Sequence, residues 1–160
     1  MIVLIMGVAG AGKTTIGCAL AEQLGWRFAD ADEYHSPANI AKMRAGIPLT
    51  DADRAPWLQF LRAAILAWIA GEENAVLACS ALKAAYRAML VVGPDVKLVY
   101  LRVDESLARG RLLSRSGHYM HANLAHSQFE TLEEPQDALT IDGSLPVNQV
   151  VTKLRNALGI

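Results

Sequence analysis

Residues 1–25 read MIVLIMGVAGAGKTTIGCALAEQLG, and the architecture can be worked outward from them. The opening MIVLIM is rich in branched apolar residues and has no polar alternation. That pattern predicts a strand buried on both faces, as in a parallel sheet. Further on, Ile16, Leu20 and Leu24 fall on one helical face, and Gly25 stands where a helix C-cap glycine belongs. Between strand and helix lies GVAGAGKT, residues 7–14, which satisfies G-x-x-x-x-G-K-[ST] at Gly7, Gly12, Lys13 and Thr14. Glycines there let successive backbone N–H groups turn inward around an anion, and the helix presents its positive end to the same place. The predicted nucleotide-binding stretch is therefore Gly7, Val8, Ala9, Gly10, Ala11, Gly12, Lys13, Thr14 and Thr15. In it Lys13 reaches the outer phosphates and the Thr14 hydroxyl ligates Mg²⁺. A chance glycine turn would satisfy the pattern too, but not with an apolar strand before it and an amphipathic helix after it.

The rest of the chain alternates in the same way. WRFAD (26–30), NAVLACS (74–80), VKLVYLR (96–102) and ALTID (138–142) read as further strands. SPANIAKMRAG (36–46) has a Ser N-cap, a proline at the first helical position and a glycine stop, so it predicts a short helix. A longer helix is expected from about Asp53 to Ala70, with Leu58, Leu61, Ile65 and Trp68 on one face. ALKAAYRAML is expected to be helical with Ser80 as N-cap. DESLARGRLLSRS and the closing PVNQVVTKLRNALG complete the helices. The expectation is one α/β domain over 1–160, in three layers, with a mainly parallel five-stranded sheet and helices on both faces. Residues 117–137, rich in histidine and polar groups and poor in branched apolar ones, are expected to project from the core as an irregular segment.

Composition narrows the partners. The 160 residues are 52% hydrophobic and 19% charged, and 15 Lys and Arg against 16 Asp and Glu leave a net charge of -1. No basic surplus argues for nucleic acid or an anionic membrane. The run AAILAWIA (63–70) is far below the roughly 20 residues of a membrane span. The apolar N-terminus lacks a positive leader. Cys18 and Cys79 form neither a disulfide framework nor a metal spacing, and read as core or near-core thiols of a cytoplasmic protein.

Switches, motors and small kinases all use such a loop. There is no Asn-Lys-x-Asp or Asp-x-x-Gly element of a switch GTPase. For a motor the metal-holding acid would have to be Asp142, which lies very late and reads better as a turn residue before Gly143. The second strand offers a different acid: WRFADAD ends in Asp30 and Asp32, at the strand edge where open α/β sheets place ligands. One carboxylate can serve the Mg²⁺ shell while the other accepts the proton of an attacking hydroxyl. A solvated acidic turn is the plain alternative, and the upstream phosphate loop weighs against it. The reading is a kinase for a hydroxyl.

Several segments together resemble the gluconate kinase (gluconokinase) family, relatives of shikimate kinase. They are GVAGAGKT, then LGWRFADADEYHSPANIAKMRAGIPLTDADRAPWL (24–58), CSALKAAYR (79–87), VYLR (99–102) and RSGHYMHANLAHSQFETLEEP (115–135), in the family's order and spacing. The chain departs at Ala9 and Ala11, where the family commonly has Ser, at Ala31, where it has Gly, and in a short 133–145 region. The resemblance implies phosphorylation of D-gluconate at its 6-hydroxyl by ATP with Mg²⁺, a shikimate-kinase-like fold with a mobile lid at about 111–135, and a homodimer.

A linear polyol ending in a carboxylate needs hydroxyl-directed acceptors and a cation. Asp32 is the expected base at the reacting hydroxyl, Asp30 belongs to the metal's outer shell, and His35 is a candidate substrate contact. Arg54, Lys83 and Arg87 are candidates for gripping the carboxylate, the last two reading as four apart on one helical face, where the plain alternative is a solvated face. Arg111 and Arg115 are the expected lid arginines that neutralise charge in the transition state, with His118 beside them for substrate. His118 and His121 suggest lid polarity rather than a metal site, and Trp57 and Trp68 read as core. Two rivals stay open: a kinase of the same fold for another sugar acid, polyol or shikimate, and a nucleotide-binding regulator without turnover. The glycine triplet of shikimate kinases is replaced here by CSALK, which weighs against shikimate.

Overall fold

The computed structural model describes residues 1–116 and 119–160, with the side chains of 115–124 left aside. Five parallel strands, β1 (Ile2–Met6), β2 (Arg27–Asp30), β3 (Ala75–Ala78), β4 (Val96–Arg102) and β5 (Leu139–Asp142), lie in the order β2-β3-β1-β4-β5. Leu4 of β1 pairs with Leu77 on one side and Leu98 on the other. The helices are α1 (Lys13–Leu24), α2 (Pro37–Arg44), α3 (Asp51–Ala70), α4 (Ala84–Leu90), α5 (Glu105–Ser116), α6 (Tyr119–Thr131) and α7 (Val147–Leu158).

Every residue of β1 is fully buried because the strand is covered twice. Ile2, Leu4 and Met6 pack with Leu61, Ile65 and Trp68 of α3, whereas Val3 and Ile5 pack with Leu20 of α1 and with Val151 and Leu154 of α7. This is the three-layer arrangement that the unalternating MIVLIM requires. From β1 the chain first goes out to β2 at one edge and returns through β3, then crosses to β4 on the other side. The reversal puts the loop after β1 at the switch point of the sheet, where such folds hold ligands. Gly17 brings the two acidic and phosphate elements together. A Cβ there would come within 2.6 Å of the Phe28 ring, so its absence lets α1 lie against β2.

Several boundaries follow from capping. Ser36 Oγ accepts from the Asn39 N–H at 3.2 Å and Pro37 opens α2, as the sequence predicts. Helix α3 starts at Asp51 rather than near Asp53. Thr50 Oγ1 accepts from the Asp53 N–H (3.1 Å) while Asp53 Oδ2 accepts from the Thr50 N–H (2.9 Å), a reciprocal cap.

Ser80 is not the cap of α4. That helix begins at Ala84 with Lys83 in the cap position, and the Ala84 N–H is satisfied at long range by Glu133 Oε2 (2.7 Å). Lys83 therefore precedes the helix that carries Arg87, and the pair does not share a helical face. Nor is 117–137 wholly irregular, since α6 occupies Tyr119–Thr131. Scarce branched residues exclude a strand, but alanine, leucine and glutamine favour a helix equally well. Ala125 is fully buried and Phe129 packs on the α1 side of the core, so this end of α6 lies on the body of the domain. Trp57 and Trp68 are buried. Cys79 is buried too, but Cys18 is exposed, because its position on α1 faces away from the sheet.

Candidate active site

The phosphate loop, residues 7–14, is a ring of main chain pressed onto α5. Gly10 has φ +83°, and a Cβ on it would meet the Ala108 carbonyl at 2.5 Å, so no other residue lets the loop lie this close. Lys13 Nζ donates to the Val8 carbonyl at 3.0 Å, which holds the ammonium across the loop. The Ala9 N–H donates to Gln128 Oε1 of α6 at 2.6 Å. Arg111 donates through Nη1 to the carbonyls of Gly10 (3.4 Å) and Ala11 (3.3 Å) and through Nη2 to that of Gly143 (2.9 Å). It thereby ties the outer edge of the loop to the turn after β5. Asp142, the rejected metal ligand, accepts the Ser144 N–H in that turn at 2.8 Å.

The acidic pair adjoins this loop. Asp30, the last residue of β2, accepts the Thr14 hydroxyl on Oδ2 (2.8 Å) and the Asp32 N–H on Oδ1 (3.1 Å). Asp32 follows in a 3₁₀ turn, Ala31–Tyr34, seated by Trp57 Nε1 donating to the Ala31 carbonyl at 2.7 Å. Desolvation by the surrounding walls and then the neighbouring Asp30 charge raise the Asp32 carboxyl above its ordinary pKa, with Lys13 and His35 acting the other way. The side chain is nevertheless 77% accessible. His35 Nε2 lies 4.0 Å from Asp32 Oδ1, and its ring is stacked on Trp57.

A second cluster borders the cleft. Asp51, at the start of α3, accepts from Lys83 Nζ at 2.9 and 3.1 Å and from the Tyr86 hydroxyl. Those hydrogen bonds, Tyr86 first and Lys83 next, hold the Asp51 carboxyl below its usual range. In return the Asp51 bond raises the Lys83 ammonium. Arg54 and Lys83 lie against the Tyr86 ring, at 5.9 and 5.6 Å from its centroid. Arg54 also donates to the Leu49 carbonyl at 2.5 Å. Its charge reaches His35, which joins this cluster to the acidic pair. Arg87 stands apart. It is 8% exposed and donates to the carbonyls of Ala81 (3.1 Å) and Leu82 (2.9 Å), shaping the loop that presents Lys83.

Thus hydrogen bonds join Thr14, Asp30 and Asp32, with His35 beside Asp32, while Arg54 and Lys83 meet at the Tyr86 ring. Arg111 grips the loop carbonyls and Arg87 is buried. The side chains of Arg115 and His121, and His118 as a whole, lie outside the described residues. Sequence reasoning passed over Asn39, Asp51, Tyr86, Gln128 and Glu133. All five lie in the segments that carry the family resemblance, but spacing alone gives them no role, because each acts on a partner at least four residues away. Among the described residues no three His, Cys, Asp or Glu converge on a metal position. Adjacent Thr14 and Asp30 oxygens nevertheless fit Mg²⁺, which takes few protein ligands and completes its shell with water and phosphate.

A parallel sheet with this loop at its switch point and an acidic turn across from it defines a P-loop phosphotransferase. The shikimate kinase family matches residues 9–140. The chain is 47% identical to the gluconokinase of Gluconobacter oxydans (strain 621H), over 83% of this chain and 75% of that one. It is 42% identical to the probable gluconokinase of Mus musculus, over 91% of each. A crystal structure of a gluconokinase from Sinorhizobium meliloti 1021 superposes with a TM-score of 0.82 at 38% identity, covering 98% of this chain and 94% of the other. The chain belongs to the gluconokinases, a branch of the shikimate kinase family.

Proposed function

We propose that this protein transfers the terminal phosphoryl group of ATP to the 6-hydroxyl of D-gluconate, giving 6-phospho-D-gluconate and ADP. The observation that carries the reading is the unbroken contact from the phosphate loop through Thr14 and Asp30 to Asp32. Because the last of these contacts is the Asp32 N–H on Asp30, it supports reading the Asp32 carboxylate, close to the phosphate loop, as the base. The gluconokinase relatives supply the identity of the acceptor.

The phosphate loop, residues 7–15, and Lys13 bind the phosphates and stabilise charge as it builds on them. Thr14 and Asp30 would hold Mg²⁺, which when bound would neutralise phosphate charge. Asp32 orients the 6-hydroxyl and takes its proton as the oxygen–phosphorus bond forms. The β–γ bridging bond breaks and its electron pair leaves on ADP. A carboxyl whose pKa is raised is the better base for this purpose. Lys83 and Arg54 receive the gluconate carboxylate, while His35 meets a hydroxyl. Arg111 brings positive charge to the phosphate loop, and the family resemblance assigns Arg115 to transition-state charge and His118 to substrate. Arg87 serves the substrate by holding the Lys83 loop.

No helix among the described residues is long and apolar enough to cross a membrane. A cytoplasmic homodimer belongs to the same reading, and light scattering of the purified protein tests its second half. The reaction itself is tested by coupled ADP release over a panel of sugar acids, polyols and shikimate. Turnover concentrated on gluconate is the expected result. Turnover confined to another acceptor, or none at all, would overturn the proposal.

A further inference from the structure

His35 is 4% exposed at its side chain, with its ring 4.3 Å from that of Trp57 and 14° from parallel. A buried imidazole serves a site only if the protein settles which nitrogen carries the proton. Here the deciding group is Asn39, itself 5% exposed, on the first turn of α2. Its Nδ2 donates to the Asp53 carbonyl at 2.9 Å. A carbonyl can only accept, so this contact identifies the NH₂ end of the amide and excludes the flipped orientation. The same Nδ2 lies 3.5 Å from His35 Nδ1. A donor facing Nδ1 needs a lone pair there, and the proton therefore sits on Nε2.

Burial holds the ring below its ordinary pKa, against the pull of Asp32 and with Arg54 adding to the effect. Nε2 is 4.0 Å from Asp32 Oδ1, too far for a hydrogen bond. The N–H and the carboxylate are thus neighbours without being spent on each other. An imidazolium in the same place would ion-pair with the base and compete with the substrate hydroxyl for it.

We infer that Asn39 is a positioning residue, which locks His35 as the Nε2–H tautomer and so gives the acceptor cleft a hydrogen-bond donor beside the Asp32 carboxylate. The inference rests on the reading of this cleft as the polyol site. A hydroxyl presents a proton and lone pairs, and a polyol presents them on adjacent carbons. The reacting hydroxyl gives its proton to Asp32 while its neighbour accepts from His35 Nε2–H. The pair recognises two neighbouring hydroxyls at once, which a lone carboxylate does not.

Long-range ¹H–¹⁵N correlation on the labelled full-length protein reads the tautomer directly, with the His35 signals identified by their loss in His35→Gln. The expected spectrum has a protonated Nε2 and a bare Nδ1; a protonated Nδ1 overturns the inference whatever the variants do. Asn39→Asp replaces the donor by an acceptor and should move the proton to Nδ1. The same change should raise the KM for gluconate by about tenfold, the loss of one hydrogen bond, with the KM for ATP unchanged. In a His35→Gln background Asn39→Asp should add little to that KM, since no tautomer remains to be set. Equal effects in both backgrounds would make Asn39 merely structural and sink the proposal. Should Asn39→Asp fail to fold, Asn39→Ser takes its place in the same cycle. Absence of gluconate turnover in the wild type would instead sink the function proposed above, while the spectra decide the tautomer on their own.

Discussion

The two sides of the cleft are made differently. In the proposed function the nucleotide side is main chain: the eight residues 7–14, running from the end of β1 into the first turn of α1, whose amides, glycines and one lysine are contiguous in sequence. In the same reading the acceptor side is side chain: Asp32, His35, Asn39, Asp51, Arg54, Lys83 and Tyr86 come from the 3₁₀ turn and the residue after it, α2, α3, the loop before α4 and α4 itself. A phosphate can be held by generic backbone donors, so its site can be local and short. A polyol must be read hydroxyl by hydroxyl, which needs side chains converging from several elements. Substitutions should therefore separate cleanly into those that remove chemistry and those that remove acceptor recognition.

The largest effect belongs to the local side. Lys13→Ala should leave the melting temperature intact and reduce turnover by about 10³-fold or more, measured by ADP release. Near-normal rates would break the contrast at its strongest point. Across the cleft, Asp32→Asn should lower kcat by about 10²- to 10³-fold while sparing ATP affinity measured by calorimetry. Collapse of ATP binding instead would move that residue to the nucleotide side.

Arg87→Met should act on stability. It removes two buried hydrogen bonds from a charged donor and costs about 2–4 kcal/mol by denaturant unfolding. A stable variant with a failed gluconate KM would show that the guanidinium reaches substrate after all. Lys83→Met should raise the gluconate KM by about tenfold and leave that for ATP alone. An equal rise for both would mean that the two sides are not separable.

The smallest effect concerns the frame. Lys42 holds the Asp53 carboxyl down at about 2, with the Thr50 cap contributing. A depressed carboxyl stabilises the fold above its unfolded value, and the contribution is lost as pH falls from about 4 through about 2. Asp53→Asn should melt below the wild type at neutral pH, and the gap should close across that window. A gap independent of pH would assign the loss to packing.

The same contrast explains what could be read from the sequence. Strand order, the helices other than α6, the phosphate loop, the acidic pair and the Ser36 cap are local patterns, and all are found in the structure. Ser80 was misread because a serine before a helix is an ordinary cap signal, while the group that actually serves Ala84, Glu133, is 49 residues away. Thr50 and Asp53 spell a cap, but with aspartate in a place where glutamate is the usual sign. Helix α6 is poor in branched apolar residues, so it reads as irregular although its alanine, leucine and glutamine favour a helix. Lys83 and Arg87 share a spacing of four, yet one precedes the helix and the other is buried in it. Asn39 lies in a family-like stretch, but its role is legible only from its burial against His35.

The last turn of α6 and the two residues after it touch both halves of the cleft. Gln128 meets the Ala9 amide, and five positions later Glu133 grips the Lys83 loop through its own N–H, which donates to the Leu82 carbonyl at 2.9 Å, and through its carboxylate on Ala84. A helix turns by about 100° per residue, so the angle between these two grips is set by the number of residues between them. One residue inserted at 129–131 would swing one grip a quarter-turn away from the other. The stretch thus behaves as a gauge of fixed length, tolerant of many substitutions and of no insertion.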